Sequence, residues 1–117
     1  MSKVAEVTIY HNPRCATSRK TLALLRQRGI EPRIVDYLKT PPDATQLKRL
    51  LKLLGLTPRQ LLRKKEAQEA GLDKQALSDE QIVAGMVKHP IAIERPILVV
   101  GDRAALGRPP EAVLTLL

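Results

Sequence analysis

Aromatic residues are nearly missing from this chain of 117 residues. It has no phenylalanine or tryptophan, and Tyr10 and Tyr37 are its only two large rings. Without them there is no platform on which unpaired bases could stack. A formal charge of +8 and a sequence pI near 10.1 therefore do not by themselves indicate nucleic acid, and no nucleic-acid partner is expected. The basic residues are spread along the chain among 12 acids, as on a solvated basic surface. No apolar run approaches the ~20 residues that span a bilayer. No secretory pattern precedes the first strand-like segment, so no membrane association and a cytoplasmic location are expected. Cysteine occurs once, at Cys15, which excludes an intrachain disulfide. With His11 and His89 as the two histidines, no zinc-ligand spacing exists either, and neither a metal nor a bound cofactor is expected.

What is present centres on that cysteine. The run IYHNPRCATSRKTLALL carries an apolar β-favouring segment, Val4 to Tyr10, into a short polar loop, and an amphipathic helix starts directly after Cys15. A helix N-terminus has unpaired N–H groups and a partial positive charge, which stabilise a sulfur as the nucleophilic thiolate. Arg14, Arg19 and Lys20 add positive charge nearby in sequence. A lone cysteine is more often a small buried hydrophobe, but His, Asn, Pro, Arg, Thr and Ser flank this one, so a reactive thiol is expected. His11 is a candidate for lowering the thiol pKa by hydrogen bonding or charge, with a structural role in the loop as the alternative. Ser18 stands three residues after the cysteine, where a dithiol enzyme has its second cysteine. It cannot resolve a disulfide, but its hydroxyl could donate to the thiolate. The loop is not of the phosphatase type, which needs an arginine six residues after the nucleophile, where this chain has Thr21.

The remaining elements follow from periodicity and punctuation. The first helix is expected to reach about Arg28 and stop at Gly29, and Arg33 to Tyr37 is a second strand, giving a right-handed βαβ unit. Thr40-Pro41-Pro42-Asp43 predicts a helix start capped by the threonine hydroxyl. Leu47, Leu50, Leu51 and Leu54 then recur on one helical face that ends at Gly55. Thr57-Pro58 opens another turn. A short charged helical piece ends at Gly71, and Ser78 with Gln81 forms a capping box for a helix burying Ile82, Val83, Met86 and Val87. His89, beside Pro90, is expected to close that helix at the negative end of its dipole. Ile97 to Val100 and Arg103 to Leu106 flank Gly101-Asp102, the chemistry of a two-residue hairpin. A short last helix ends at Leu116-Leu117.

The order is βαβ, several helices, ββα. It predicts a single α/β domain over residues 1–117, thioredoxin-like, with a four-stranded mixed sheet and a central helical insertion at about 41–89. Such folds place a proline, often cis, before the third strand and beside the cysteine. Pro96 has the right order for this and would bring Arg95 next to the thiol.

The motifs HNPRCATSRKTL, YLKTPP, LLRKKE, HPIAIERPILVV and GRPPEAVL, in this order from about Val7 to the end, resemble those of the glutaredoxin-coupled arsenate reductase family. The resemblance implies an oxidoreductase that reduces arsenate to arsenite through one catalytic cysteine thiolate. Carried over residue by residue, the attacking thiol is Cys15, with His11 and Ser18 in its loop. The three oxyanion-holding arginines are Arg63 of the LLR motif, Arg95 of the RP motif and Arg108 of the GRP motif. Glutathione as co-substrate and glutaredoxin are the implied external thiol donors. Guanidinium forks suit a tetrahedral dianion because they bind its oxygens bidentately and stay charged. Ala16 stands where the resembling proteins often have glycine or serine, and the segment Lys65 to Gly71 is shorter than theirs and lacks an aromatic.

Two other readings compete. A glutathione-dependent thiol reductase of the same fold would keep Cys15 and the arginines for a different substrate. A regulator of the Spx type, which binds RNA polymerase, shares the outline, but many of those carry a second cysteine where Ser18 stands.

Overall fold

The computed structural model describes residues 6–117. The chain divides into two compact units: one comprises the residues up to Tyr37 together with Arg95–Leu117, the other Leu38–Glu94.

The first unit holds the sheet. Its elements are β1 (Val7–His11), α1 (Ala16–Gln27), β2 (Arg33–Asp36), β3 (Ile97–Val100), β4 (Arg103–Leu106) and a closing 3-10 helix (Pro110–Leu116). The strand order is β2-β1-β3-β4. β1 runs parallel to β2, with Ile9 opposite Ile34 and His11 opposite Asp36, and antiparallel to β3, with Ile9 opposite Leu98. β4 returns antiparallel to β3 across Gly101-Asp102, where Gly101 takes the left-handed conformation (φ 61°) that such a hairpin needs. This is the mixed four-stranded thioredoxin-like sheet that the element order implies.

One apolar cluster holds the unit together. Ile9 and Leu98 from the sheet meet Leu22 and Leu25 of α1 and Val113 and Leu116 of the last helix. Side chains alternate along a strand, so the face of β1 that buries Ile9 also carries His11. The buried residues of α1 are Ser18, Thr21, Leu22 and Leu25, a stripe at helical spacing. Its first turn thus presents a hydroxyl to that face of β1, where its later turns present leucine.

The second unit is helical: α2 (Ala44–Leu54), α3 (Lys64–Glu69) and α4 (Asp79–Lys88), with 3-10 turns at Arg59–Leu61 and Pro90–Ala92. Leu47, Leu50 and Leu51 of α2 and Ile82, Val83 and Met86 of α4 are buried, while Leu54 and Val87 are half-buried. α4 has the expected reciprocal cap between Ser78 and Gln81, and His89 is its last, C-capping residue.

Several boundaries differ from expectation. β1 extends to His11, where it still pairs with β2, and Val4 and Ala5 of the expected strand lie outside the described residues. β2 ends at Asp36, not Tyr37. Asp43, not Thr40, caps α2: its carboxylate accepts the Gln46 N–H at 2.8 Å while the Gln46 side chain accepts the Asp43 N–H at 3.0 Å. That reciprocal pair satisfies two helix-end donors at once, and it leaves Pro41 and Pro42 ahead of the helix.

Candidate active site around Cys15

Cys15 is the N-cap of α1, in extended backbone conformation (φ −93°, ψ 121°), and is partly exposed. The loop that presents it is tied at each step. The Cys15 N–H donates to the Asn12 carbonyl at 3.0 Å, and the Arg14 N–H donates to the Asn12 side-chain oxygen at 3.0 Å. Arg19 reaches back from α1 to donate to the Pro13 carbonyl at 2.9 Å. Asn12 is buried at 2 % exposure, and its backbone N–H donates to the Ser18 hydroxyl at 3.0 Å. Asn12 is therefore the organiser of the loop. It is absent from the candidates that the sequence suggests, although an Asn-Pro step ahead of a helix is a turn signal.

His11 and Ser18 meet, but not over the sulfur. His11 Nδ1 lies 2.6 Å from the Ser18 hydroxyl oxygen, and both residues are buried. Burial pulls the His11 pKa down; the Asp36 charge opposes this, and Arg26 and Arg19 add to the lowering. The ring is thus neutral at neutral pH. The Ser18 oxygen accepts from the Asn12 N–H and shares a hydrogen bond with Nδ1 whose donor is set by the imidazole tautomer. This corrects the expected role of the Ser18 hydroxyl, which is engaged by His11 and Asn12 rather than by the thiolate. His11 acts in the loop as a neutral partner of Ser18.

The sulfur has other stabilisers. Burial pushes the Cys15 thiol up, but it is outweighed by the Ser18 backbone N–H, a hydrogen bond from Arg95, the Thr17 N–H and the Arg95 charge, so the thiol lies below its ordinary value. The two amides are the N-terminal donors of α1, as a thiol at a helix start requires. The positive charge comes from Arg95, rather than from the sequence neighbours Arg14, Arg19 and Lys20. Arg108 adds a second guanidinium: its Nη2 is 3.5 Å from the Cys15 sulfur, and its Nε donates to the Arg95 carbonyl at 2.7 Å. Two guanidinium groups thus stand at the Cys15 thiol.

The backbone explains how residues so distant in sequence converge. Arg95-Pro96 and Arg108-Pro109 are both cis, and the Gly107 N–H donates to the Pro96 carbonyl at 2.9 Å. A Cβ on Gly107 would lie 2.6 Å from the Thr21 hydroxyl oxygen and 2.7 Å from a Pro96 ring carbon. Glycine is needed there so that the end of β4 can press against α1 and the Pro96 loop, which sets Arg108 beside the sulfur. Pro96 and Arg95 stand where the sequence order puts them. Gly107 opens the GRP motif, but its packing role and the cis bond at Pro109 are not among the sequence expectations, because close approach of backbone to backbone leaves no local pattern.

Arg63 lies in the helical unit, at the N-cap of α3. Its Nε donates to both Glu66 carboxylate oxygens, at 3.0 and 3.1 Å, and its Nη1 donates to Glu94 at 3.2 Å. Burial lowers its pKa, but the two carboxylates outweigh that and raise it. Among the described residues, no group of three or more His, Cys, Asp or Glu could hold a metal ion, and no helix is long and apolar enough to cross a membrane.

Comparison with known proteins places this arrangement. The sequence model of the ArsC family matches residues 10–116. The chain is 49% identical over 114 residues to the uncharacterized protein YfgD of Escherichia coli (strain K12), a match covering 95% of this chain and 96% of that protein. It is 48% identical over 113 residues to an arsenate reductase of Rhizobium meliloti (strain 1021), covering 95% and 81%. The solved structure of an arsenate reductase from Vibrio cholerae superposes with a TM-score of 0.93 at 47% identity, covering 98% of this chain and 100% of that one. Family model and fold both match along nearly the whole sequence, and the chain belongs to the ArsC family.

Proposed function

We propose that this protein is an arsenate reductase in which Cys15 is the nucleophile and Arg95 and Arg108 hold the oxyanion. The observation that carries the reading is the Arg108 guanidinium 3.5 Å from the Cys15 sulfur, with Arg95 acting on the same sulfur. Two planar forks beside a thiolate bind a tetrahedral anion and withdraw charge from the atom under attack. The names of the Rhizobium and Vibrio relatives support arsenate as that anion.

In the first step the Cys15 thiolate forms a sulfur–arsenic bond and one arsenate oxygen leaves as water. The chain has no second cysteine, so the remaining thiols come from outside. Glutathione condenses on the arsenic with loss of a second water. A glutaredoxin thiolate attacks the glutathione sulfur, and the electron pair of the sulfur–arsenic bond stays on arsenic, taking As(V) to As(III). The products of that step are a glutathione–glutaredoxin disulfide and an arsenite ester of Cys15, and one water releases arsenite and restores the thiol. The balance is one arsenate and two thiols in, and one arsenite, one disulfide and one water out.

The test is NADPH consumption in the presence of arsenate, glutathione, glutaredoxin and glutathione reductase. Turnover that requires both thiol donors supports the mechanism, and turnover with thioredoxin alone overturns the donor assignment. A thiol reductase of the same fold, keeping Cys15 and the arginines for another substrate, is the competing reading. It is preferred if a glutathionylated peptide turns over and arsenate does not.

A further inference from the structure

We propose that Thr21 is a positioning residue for the thiol site: its hydroxyl holds and polarises the Thr17–Ser18 peptide group, whose other end presents an N–H to the Cys15 sulfur. This rests on Cys15 being the reactive thiol, but not on arsenate being the substrate.

Three observations carry the inference. The first is the bond itself. The Thr21 hydroxyl donates to the Thr17 carbonyl at 2.9 Å, one helical turn back, where a threonine side chain in a helix can reach. The Thr17 carbonyl and the Ser18 N–H are the two ends of one planar peptide group and point in opposite directions. A donor on the oxygen draws electron density through that group and makes its N–H a stronger donor, as in any chain of hydrogen bonds.

The second is the place of that N–H. Cys15 is the N-cap of α1, and Ser18 is the third residue of the helix. An amide there has no intrahelical carbonyl to bond and is free to serve a group at the cap. Among the groups that favour the Cys15 thiolate, the Ser18 N–H comes first, ahead of Arg95 and the Thr17 N–H. The Ser18 hydroxyl is engaged by His11 and Asn12, so the backbone is what this serine offers the sulfur.

The third is confinement. Thr21 is 0% exposed, so its hydroxyl has no water to turn to. A Cβ on Gly107 would lie 2.6 Å from the hydroxyl oxygen and 3.1 Å from the Thr21 methyl carbon. The Gly107 backbone thus closes over the side chain and restricts its rotamer, and the next residue is Arg108, the guanidinium 3.5 Å from the sulfur. Thr21 stands six residues after the cysteine, where a phosphatase loop has its arginine. Here that position serves the thiolate from behind, through a peptide group instead of a charge.

The experiment measures the pH midpoint of Cys15 alkylation in the free protein for the wild type, Thr21→Val and Thr21→Ser, each checked for an intact fold by thermal melting. Valine keeps the branched shape and removes the hydroxyl; serine keeps the hydroxyl and removes the methyl. Thr21→Val should raise the midpoint by about 0.2–0.6 of a pH unit, the share of a charge-assisted hydrogen bond that polarisation contributes. Thr21→Ser should melt at lower temperature yet keep the wild-type midpoint. Arg95 and Arg108, the charged groups at the sulfur, are the same in all three proteins. A role in packing alone gives the reverse order, with the serine variant shifted and the valine variant unchanged, and that result overturns the proposal. A second measurement needs no variant. As Cys15 titrates in the wild type, the NMR shift of the Thr17 carbonyl carbon should move with the same midpoint and further than that of Ala16. An equal or smaller movement overturns the proposal. A wild-type midpoint at the ordinary thiol value overturns the reactive-thiol reading itself, a result distinct from an unshifted Thr21→Val.

Discussion

Two kinds of arginine separate the sheet unit from the helical unit. In the sheet unit, Arg108 meets a sulfur and a backbone carbonyl, and Arg95 lowers the pKa of that sulfur. In the helical unit, Arg63 meets two carboxylates. The residue type is the same, and each lies in a motif of the same family pattern, yet the partners differ, a sulfur in one unit and carboxylates in the other. A motif fixes which residue is present; its function follows from what the fold sets around it. The largest test of that contrast concerns the sulfur itself. Cys15→Ser should abolish turnover, since the chain has no other thiol, while leaving the fold intact because the position is a partly exposed helix cap. Residual thiol-dependent turnover in that variant would remove the sheet unit from the chemistry.

Next in size are the arginines of the sheet unit. Arg95→Ala or Arg108→Ala should cost about 2–5 kcal/mol of transition-state stabilisation, as loss of a desolvated charge partner generally does. Lysine should restore only part of it. Arg95→Ala should also raise the midpoint of Cys15 alkylation, because its hydrogen bond and charge both act to lower it. In the wild-type protein that midpoint should fall below the ordinary value of about 8.5. The thiolate then contributes stability that is complete above the ordinary value and is lost as pH falls through the lowered one. If either alanine variant keeps full turnover, Arg108 and Arg95 are no more functional than a surface arginine, and the comparison fails.

How far the sequence shows this can be judged residue by residue. The four strands, the crossover and both leucine-lined helices follow from periodicity and punctuation, because side-chain alternation and helical spacing are local. The position of Cys15 at a helix start is equally local, and so is Pro96 ahead of β3. The bonding of Ser18 is not: the serine lies on the buried stripe of α1, and only the strand face carrying His11 decides where its hydroxyl goes. Nor is the cap of α2, where Thr40 and Asp43 both offer an oxygen and Gln46 selects the aspartate. Gly107 is visible as the first residue of the GRP motif, but the reason for it is not, since that arises from Thr21 and Pro96, which the chain brings there from elsewhere.

Ser18→Ala sharpens the same comparison at a smaller scale. It leaves His11 Nδ1 and the Asn12 N–H without their buried partner, which should destabilise the protein by about 1–3 kcal/mol. The thiol midpoint should move less than in Arg95→Ala, since the backbone N–H of Ser18, which alanine retains, is what acts on the sulfur. Urea denaturation and the alkylation profile measure the two effects separately. A midpoint shift as large as that of Arg95→Ala would mean that the hydroxyl faces the thiolate after all.

The smallest effect is expected at Arg26, on the exposed side of α1. It belongs to the sheet unit like Arg95 and Arg108, but it pairs with a carboxylate like Arg63, so it asks whether location or partner matters more. Its partner Glu31 is largely exposed, and a pair of that kind contributes at most about 1 kcal/mol. Arg26 lines a shallow groove of ≈ 640 Å³ along α1 together with His11 and Arg19, and after burial and Asp36 its charge is one of the influences on the imidazole. The unfolded chain takes up a proton on this histidine near 6.5 and the folded chain does so at lower pH, so stability is complete above the unfolded value and declines as pH falls through the folded one. Arg26→Ala removes one of the charges that hold the folded value down, so the acid-side loss of stability should become slightly milder. Turnover at neutral pH should barely change, because His11 is neutral there with or without Arg26. Thermal melting between about pH 5 and 8, alongside the coupled assay, reads both. A large fall in turnover would show that proximity to the loop is enough to make an arginine functional, whatever carboxylate it holds.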